Sequence, residues 1–267
     1  KKRFGVNLDY QKEITSTIGA KEAVFNFPEA FIEPGDYALM PNPGYPPYER
    51  GTLFAEGKSY FIPLLKENDY LMDLGSIPRD IVKKSKILWV SYPNNPTGAA
   101  ATDEFLKEVI DFGHDNSIIV ASDECYTEIY FGKKPHSILE FSKEGVVAFN
   151  SLSKRSAMTG YRVGWVAGDE NVVAAFRKLK TNIDSGTATF VQDAAIAALR
   201  NTTFPEYKDD KIDYKKKTNK KLDLKDIPLS VTVIKIGDKF LVDPDSDEEK
   251  AIDARLTVAS LSDGTLC

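Results

Sequence analysis

The chain has 267 residues, 42% of them hydrophobic and 28% charged, with a net charge of −5. That length buries a sizeable core in one or two domains, and the acidic balance gives a nucleic-acid partner no global electrostatic support. No apolar run approaches the roughly 20 residues that span a bilayer, two cysteines (Cys125 and Cys267) give no disulfide framework, and two histidines (His114 and His136) lack the company of a metal site.

In chain order, Lys1-Lys2-Arg3-Phe4-Gly5 is basic but has no apolar signal core, so a reducing cytoplasm is the expected compartment. A strand near 14–18 breaks at Gly19, where helix formers open a helix over 20–32. Free backbone N–H groups at a helix start bind phosphate, yet Gly19-Ala20-Lys21 alone equally suits a plain helix entrance. A strand near 37–40 leads into Pro41-Asn42-Pro43-Gly44-Tyr45-Pro46, a helix over 46–56 follows, and a strand lies near 59–63. The apolar run Ile87-Leu88-Trp89-Val90-Ser91 reads as a buried strand over 87–92, and Tyr92-Pro93-Asn94-Asn95-Pro96-Thr97-Gly98 forces a turn at its carboxyl end. Ligands of open α/β sheets sit at that end, although an Asn-Pro pair also serves in turns that hold nothing.

A helix over 103–114 and a strand near 117–122 then deliver Asp123 and, three residues on, Tyr126. Asp123 there suits either a ligand nitrogen or the cap of a following helix. Strands near 146–150 and 162–167 flank Ser151-Leu152-Ser153-Lys154 through Arg162, and helices over 169–180 and 187–200 follow. Such alternation implies an α/β fold, with a mainly parallel mixed sheet in a three-layer α/β/α arrangement.

The stretch from Ser151 to Arg162 carries the most chemistry. A lysine at the end of a buried strand is expected to be partly desolvated, which lowers its pKa and frees its amine as a nucleophile. The hydroxyls of Ser151 and Ser153 and the planar guanidinium of Arg162 suit a phosphate. An amine beside a phosphate cup is what pyridoxal phosphate needs: a Schiff base to its aldehyde and an anchor for its tail. By local composition alone, the same stretch also reads as a solvated Ser/Lys turn.

Taken as an ordered set, Gly19-Ala20-Lys21, Pro41 to Pro46, Asn94 to Gly98, Asp123-x-x-Tyr126 and Ser151-x-Ser153-Lys154 through Arg162 resembles the class I/II aminotransferases of the fold-type I pyridoxal-phosphate enzymes over about residues 1–200. Lys180 to Gly186 and Ser122 to Tyr130 place the text nearest the diaminopimelate and aspartate/alanine branches. The resemblance implies pyridoxal 5'-phosphate as cofactor, an amino acid and a 2-oxo acid as substrates, a role in amino-acid biosynthesis, and a homodimer. It implies that Lys154 carries the cofactor and shuttles a proton, and that Asp123 pairs with the pyridine nitrogen. Asn95 and Tyr126 would bond the phenolic oxygen, and Tyr45 would lie over the ring. Ala20, Lys21, Ser151, Ser153 and Arg162 would hold the phosphate, and Asn182 would stand near the dimer boundary.

Relative to that family, an N-terminal arm is expected to be missing, and no residue matches the carboxylate-clamping arginine of its small domain, a role that does not transfer to Arg255. A truncated or fused form with impaired turnover is therefore expected. A C–S lyase on the same cofactor, and a non-enzymatic fusion, stand as alternatives.

After residue 200 the text changes. Residues 201–222 are lysine-rich and read as a charged helix or linker. Residues 223–267 read as a β-rich tail, with a hairpin over 227–244 turning at Gly237-Asp238 and a further strand over 253–259. This tail weakly resembles an RNase PH-like subunit of the archaeal exosome.

Overall fold

A computed structural model describes residues 2–130 and 132–200. The expected linker over 201–222 and the hairpin and strand over 223–267 lie outside the described residues. Seven strands, β1 (Ile14–Thr17), β2 (Tyr37–Asn42), β3 (Lys58–Pro63), β4 (Ser85–Ser91), β5 (Ile119–Asp123), β6 (Val146–Ser151) and β7 (Gly164–Gly168), form one sheet in the order β1-β7-β6-β5-β4-β2-β3. Strands β2 to β6 run parallel to one another, whereas β7 is antiparallel to both β6 and β1. The sheet is thus mainly parallel and mixed, as expected from the alternation of elements.

The helices are α1 (Ala20–Asn26), α2 (Pro47–Phe54), α3 (Arg79–Val82), α4 (Asp103–Asn116), α5 (Leu152–Arg155), α6 (Glu170–Lys180) and α7 (Thr189–Arg200). Strand β4 shows why the sheet lies between two layers. Ile87, Leu88, Trp89 and Val90 are all buried, and successive side chains leave a strand on opposite faces. Leu88 and Val90 join one core, which takes in Phe105, Leu106, Val109 and Ile110 of α4. Ile87 and Trp89 join the other, with Ala23 and Val24 of α1, Tyr48 of α2, and Val173 and Phe176 of α6.

Strand and helix ends shift by a few residues from their expected places, and one expected helix divides. The stretch over 20–32 is α-helical only to Asn26 and continues as a 3-10 turn over Phe27–Ala30. Pro28 lacks the N–H of an α-helical interior and its ring crowds the preceding turn, which accounts for the change. At the far end of the sheet, Gly168 sits at φ +145° with the backbone of β6 close by, and a Cβ there would lie 2.1 Å from the Val146 carbonyl oxygen. Only glycine allows that approach.

Candidate functional site

The sheet brings the motifs to one edge in lateral order. The carboxyl ends of β1, β6, β5, β4 and β2 share that edge with the entry to β7. Thr17 pairs with Gly164, Gly164 with Ser151, and Ser91 with Asp123. Moving across it, one meets Gly19 after β1, Arg162 before β7, Ser151 to Lys154 after β6, Asp123 and Tyr126 after β5, Asn95 after β4 and Tyr45 after β2.

One end of the edge is a cup of hydrogen-bond donors. Ser151 caps α5: its Oγ accepts from the Ser153 N–H at 3.0 Å and donates to the Val163 carbonyl at 3.0 Å. Arg162 takes a left-handed conformation at φ 53° and donates through Nη1 to the Thr159 carbonyl at 2.8 Å and to Ser153 Oγ at 3.3 Å. Its guanidinium lies so close to Gly19 that a Cβ there would stand 2.2 Å from Nη2, and Gly19 itself has φ +77°. The start of α1 carries no side-chain cap. A cation, two hydroxyls and uncapped helical N–H groups at Ala20 and Lys21 therefore converge, a donor set that fits the phosphate of the expected cofactor.

The cup is braced from behind by a residue that sequence reasoning missed. Glu22 Oε2 accepts from the Ile18 N–H at 3.0 Å and pairs with Lys180 at 3.3 Å; Lys180, 7% exposed, also pairs with Asp184 at 2.5 Å. In a sequence, a lysine in the charged last turn of a helix looks solvated, and the distant Glu22, with Asp184 one turn on, makes it part of a buried ion-pair cluster. Asn182, two residues on, is exposed, and its Nδ2 donates to the Lys178 carbonyl at 2.9 Å. The structure does not bring Asn182 into the cup.

The other end of the edge is a buried carboxylate. Asp123 accepts from the Tyr48 hydroxyl at 2.8 Å on Oδ2 and from the Cys125 N–H at 3.1 Å on Oδ1. Burial pushes its carboxyl above the usual range, and the Tyr48 and Cys125 hydrogen bonds pull it partly back. Tyr48 is itself buried and stacks on Trp89 at 4.8 Å with 16° between the rings, while Tyr45 meets it edge-on at 5.7 Å. Tyr48, too, was invisible in the sequence, where it looked like an ordinary first-turn residue of α2. Asn95 is half-buried, and its neighbour Asn94 builds the turn: Asn94 Oδ1 accepts from the Thr97 N–H at 3.1 Å and from Thr97 Oγ1 at 2.9 Å. The buried Nδ2 of Asn94 has no partner among the described residues.

Lys154 departs from expectation. Its Nζ lies 5.9 Å from the centroid of the half-buried Tyr126 ring, but the residue is exposed rather than desolvated. The reason is local: Lys154 is the third residue of the short helix α5, a turn beyond the buried end of β6, so the strand's burial does not extend to it.

Beside Asp123, Glu124 is 2% exposed and accepts from the Ile138 N–H at 2.8 Å and from Ser122 Oγ at 3.3 Å. Burial pushes its carboxyl up to about 7, against those hydrogen bonds. The folded chain holds this proton more tightly than the unfolded chain does. Stability is therefore greatest below the ordinary carboxylate range and falls as pH rises from about 4.5 to about 7. Urea unfolding across that window is expected to show a decline on the order of 1–3 kcal/mol from Glu124, which Glu124→Gln removes.

Comparison with known proteins agrees with this geometry. The family described as aminotransferase class I and II matches residues 1–230, and the 3' exoribonuclease family, domain 2, matches residues 226–267. The LL-diaminopimelate aminotransferase of Aquifex aeolicus is 48% identical over 215 residues, covering 79% of this chain and 55% of that protein. The enzyme of the same name from Syntrophobacter fumaroxidans is 48% identical over 202 residues, covering 74% of this chain and 52% of that one. Among solved structures, apo-BacF from Bacillus subtilis superposes with a TM-score of 0.73 at 33% identity, covering 74% of this chain and 51% of its own. A probable N-succinyldiaminopimelate aminotransferase from Thermus thermophilus gives a TM-score of 0.72 at 31% identity, covering 74% of this chain and 54% of its own. The chain spans about half the length of the curated relatives it matches.

Proposed function

The chain belongs to the class I and II aminotransferases, and from that premise we propose that the edge of its sheet binds pyridoxal phosphate and serves the transfer of an amino group between an amino acid and a 2-oxo acid. The observation that supports this reading best is the convergence, along one edge, of a donor-rich cup around Arg162, a buried carboxylate and a lysine over a tyrosine ring. Pyridoxal phosphate, when bound, supplies an aldehyde for a lysine amine and an electron-withdrawing ring.

In this reading Ser151, Ser153, Arg162 and the Ala20 and Lys21 N–H groups hold the phosphate. The Asp123 carboxylate would accept a hydrogen bond from the protonated ring nitrogen and so keep that nitrogen cationic. Asn95 and Tyr126 bond the phenolic oxygen, and Tyr45 covers one face of the ring. Lys154 provides the amine that anchors the ring and, once displaced, carries the proton to and from the substrate Cα. Asn182, at the end of α6, would act across a homodimer boundary rather than within this cup.

The names of the relatives favour LL-diaminopimelate as amino donor. No helix among the described residues is long and apolar enough to cross a membrane, and we place the protein in the cytoplasm. Residues 1–200 are proposed as the cofactor-binding unit and 223–267 as a separate segment.

Borohydride reduction of the full chain with pyridoxal phosphate, followed by peptide mapping, tests the reading. A single phosphopyridoxyl adduct on Lys154 is the expected result. Adducts scattered over surface lysines, or none, would mean that this chain does not assemble the site.

A further inference from the structure

The geometry points to Tyr48 as a positioning residue that holds the Asp123 carboxylate ionised and correctly turned toward the cofactor's ring nitrogen. This inference rests on the cofactor reading above and adds one residue to it. Two donors reach Asp123: the Tyr48 hydroxyl on Oδ2 and the Cys125 N–H on Oδ1. The Cys125 N–H belongs to the same turn as Asp123 and moves with it. Tyr48 arrives from α2, on a different part of the chain, and so fixes the carboxylate relative to the rest of the sheet.

Tyr48 is well suited to that task. It is 1% exposed, and its ring is clamped flat on Trp89. Ser91 and Asp123 are register partners at the ends of β4 and β5, so Tyr48, stacked on Trp89 of β4 and bonded to Asp123 of β5, spans two neighbouring strand ends. Hydrogen bonds to a charged acceptor are the stronger kind. An isolated carboxylate this deeply buried would tend to take up a proton. It would then leave the ring nitrogen neutral and the ring a weaker electron sink. A donor on Oδ2 opposes that, and it also occupies one lone-pair direction so that another stays open to the ligand. Cys125 is adjacent, but burial and the Asp123 charge push its thiol well above its ordinary range, so it stays neutral.

The test uses Tyr48→Phe, which keeps the ring on Trp89 and removes only the hydroxyl, together with 3-fluorotyrosine placed at position 48, whose more acidic hydroxyl donates more strongly. The readouts are the borohydride adduct on Lys154, the dissociation constant for pyridoxal phosphate and the nitrogen-15 shift of ring-labelled cofactor bound at neutral pH. The expected result is an adduct on Lys154 in wild type and both variants. Tyr48→Phe is expected to bind the cofactor about tenfold more weakly, with the nitrogen signal moved toward the neutral-pyridine value. An intact Lys154 adduct with unchanged affinity and unchanged nitrogen shift in both variants would overturn the role of Tyr48 while leaving the cofactor site standing. Failure of the wild-type chain to form the adduct would overturn the site and this role with it. Should Tyr48→Phe not fold, the fluorinated variant decides alone, and a nitrogen shift identical to wild type in it counts against the role of Tyr48.

Discussion

Lys154→Ala is expected to abolish the borohydride-trapped adduct and to lower any transamination by about a thousandfold, the scale of a lost positioned proton carrier. Two losses combine. The variant has no amine to bond the cofactor's aldehyde, and no base to move the Cα proton once the substrate is in place. The donor cup is untouched, because Ser151, Ser153 and Arg162 bond one another and the Val163 and Thr159 carbonyls without help from Lys154. Pyridoxal phosphate should therefore still bind, held through its phosphate, and should wash out on dialysis without leaving a label. Absorbance before and after dialysis, with mass mapping of reduced peptides, reads both halves. A full-strength adduct elsewhere in Lys154→Ala would show that another lysine holds the cofactor and that the assignment is wrong. Residual turnover restored by added small amines would support the proton-carrier half.

Phe27→Ala is the substitution expected to cost the most stability, about 3–5 kcal/mol. Phe27 is fully buried and sits where α1 ends and the 3-10 turn begins. Its ring contacts four others: Phe31 at 4.7 Å, Phe149 at 5.1 Å, Phe176 at 5.6 Å and Trp89 at 5.8 Å. Three of those partners, Phe149, Phe176 and Trp89, come from β6, α6 and β4, so the cavity would open among elements that pack on or form the sheet and could not easily close. Edge-to-face contacts such as that with Phe149, at 86°, are lost as well. The midpoint of urea unfolding should fall with little change in slope, because the surface exposed on unfolding is nearly the same. A cost under about 1 kcal/mol would mean the second core is looser than these distances imply.

Much of this architecture was legible in the sequence for physical reasons. Continuous apolar runs such as Ile87 to Val90 can only be strands covered on both faces, and the motif residues follow their carboxyl ends. The shape of the donor cup was readable because glycine, serine and arginine each bring one function that needs little context. Legibility failed where a side chain's environment depends on a partner far away in the chain. Lys180 looks like any solvated helix-end lysine until Glu22 is placed against it, and Tyr48 looks like any first-turn aromatic until β5 brings Asp123 beneath it. Lys154 failed differently. Burial was read from β6, but the lysine stands a helical turn past the strand, and one turn is enough to carry a side chain from core to surface. The change from α-helix to 3-10 turn after Asn26 has its signal in the sequence, since Pro28 cannot donate within a helix interior.

The pairing of β1 with β7 has a consequence for how the protein is made. Ile14 finds its partner Ala167 only when that residue exists. At a synthesis rate of about 5–20 residues per second, roughly 8–30 seconds separate the two on a translating ribosome. Throughout that interval the nascent chain can zip β2, β3, β4 and β5 into a growing parallel sheet while its own leading strand dangles unpaired. Gly19, Ala20 and Lys21 hang from that strand, and Arg162 has yet to be synthesised. The donor cup is thus the last part of the edge whose residues are all in existence during translation, because it waits for Arg162 while the β4 and β5 ends are already made.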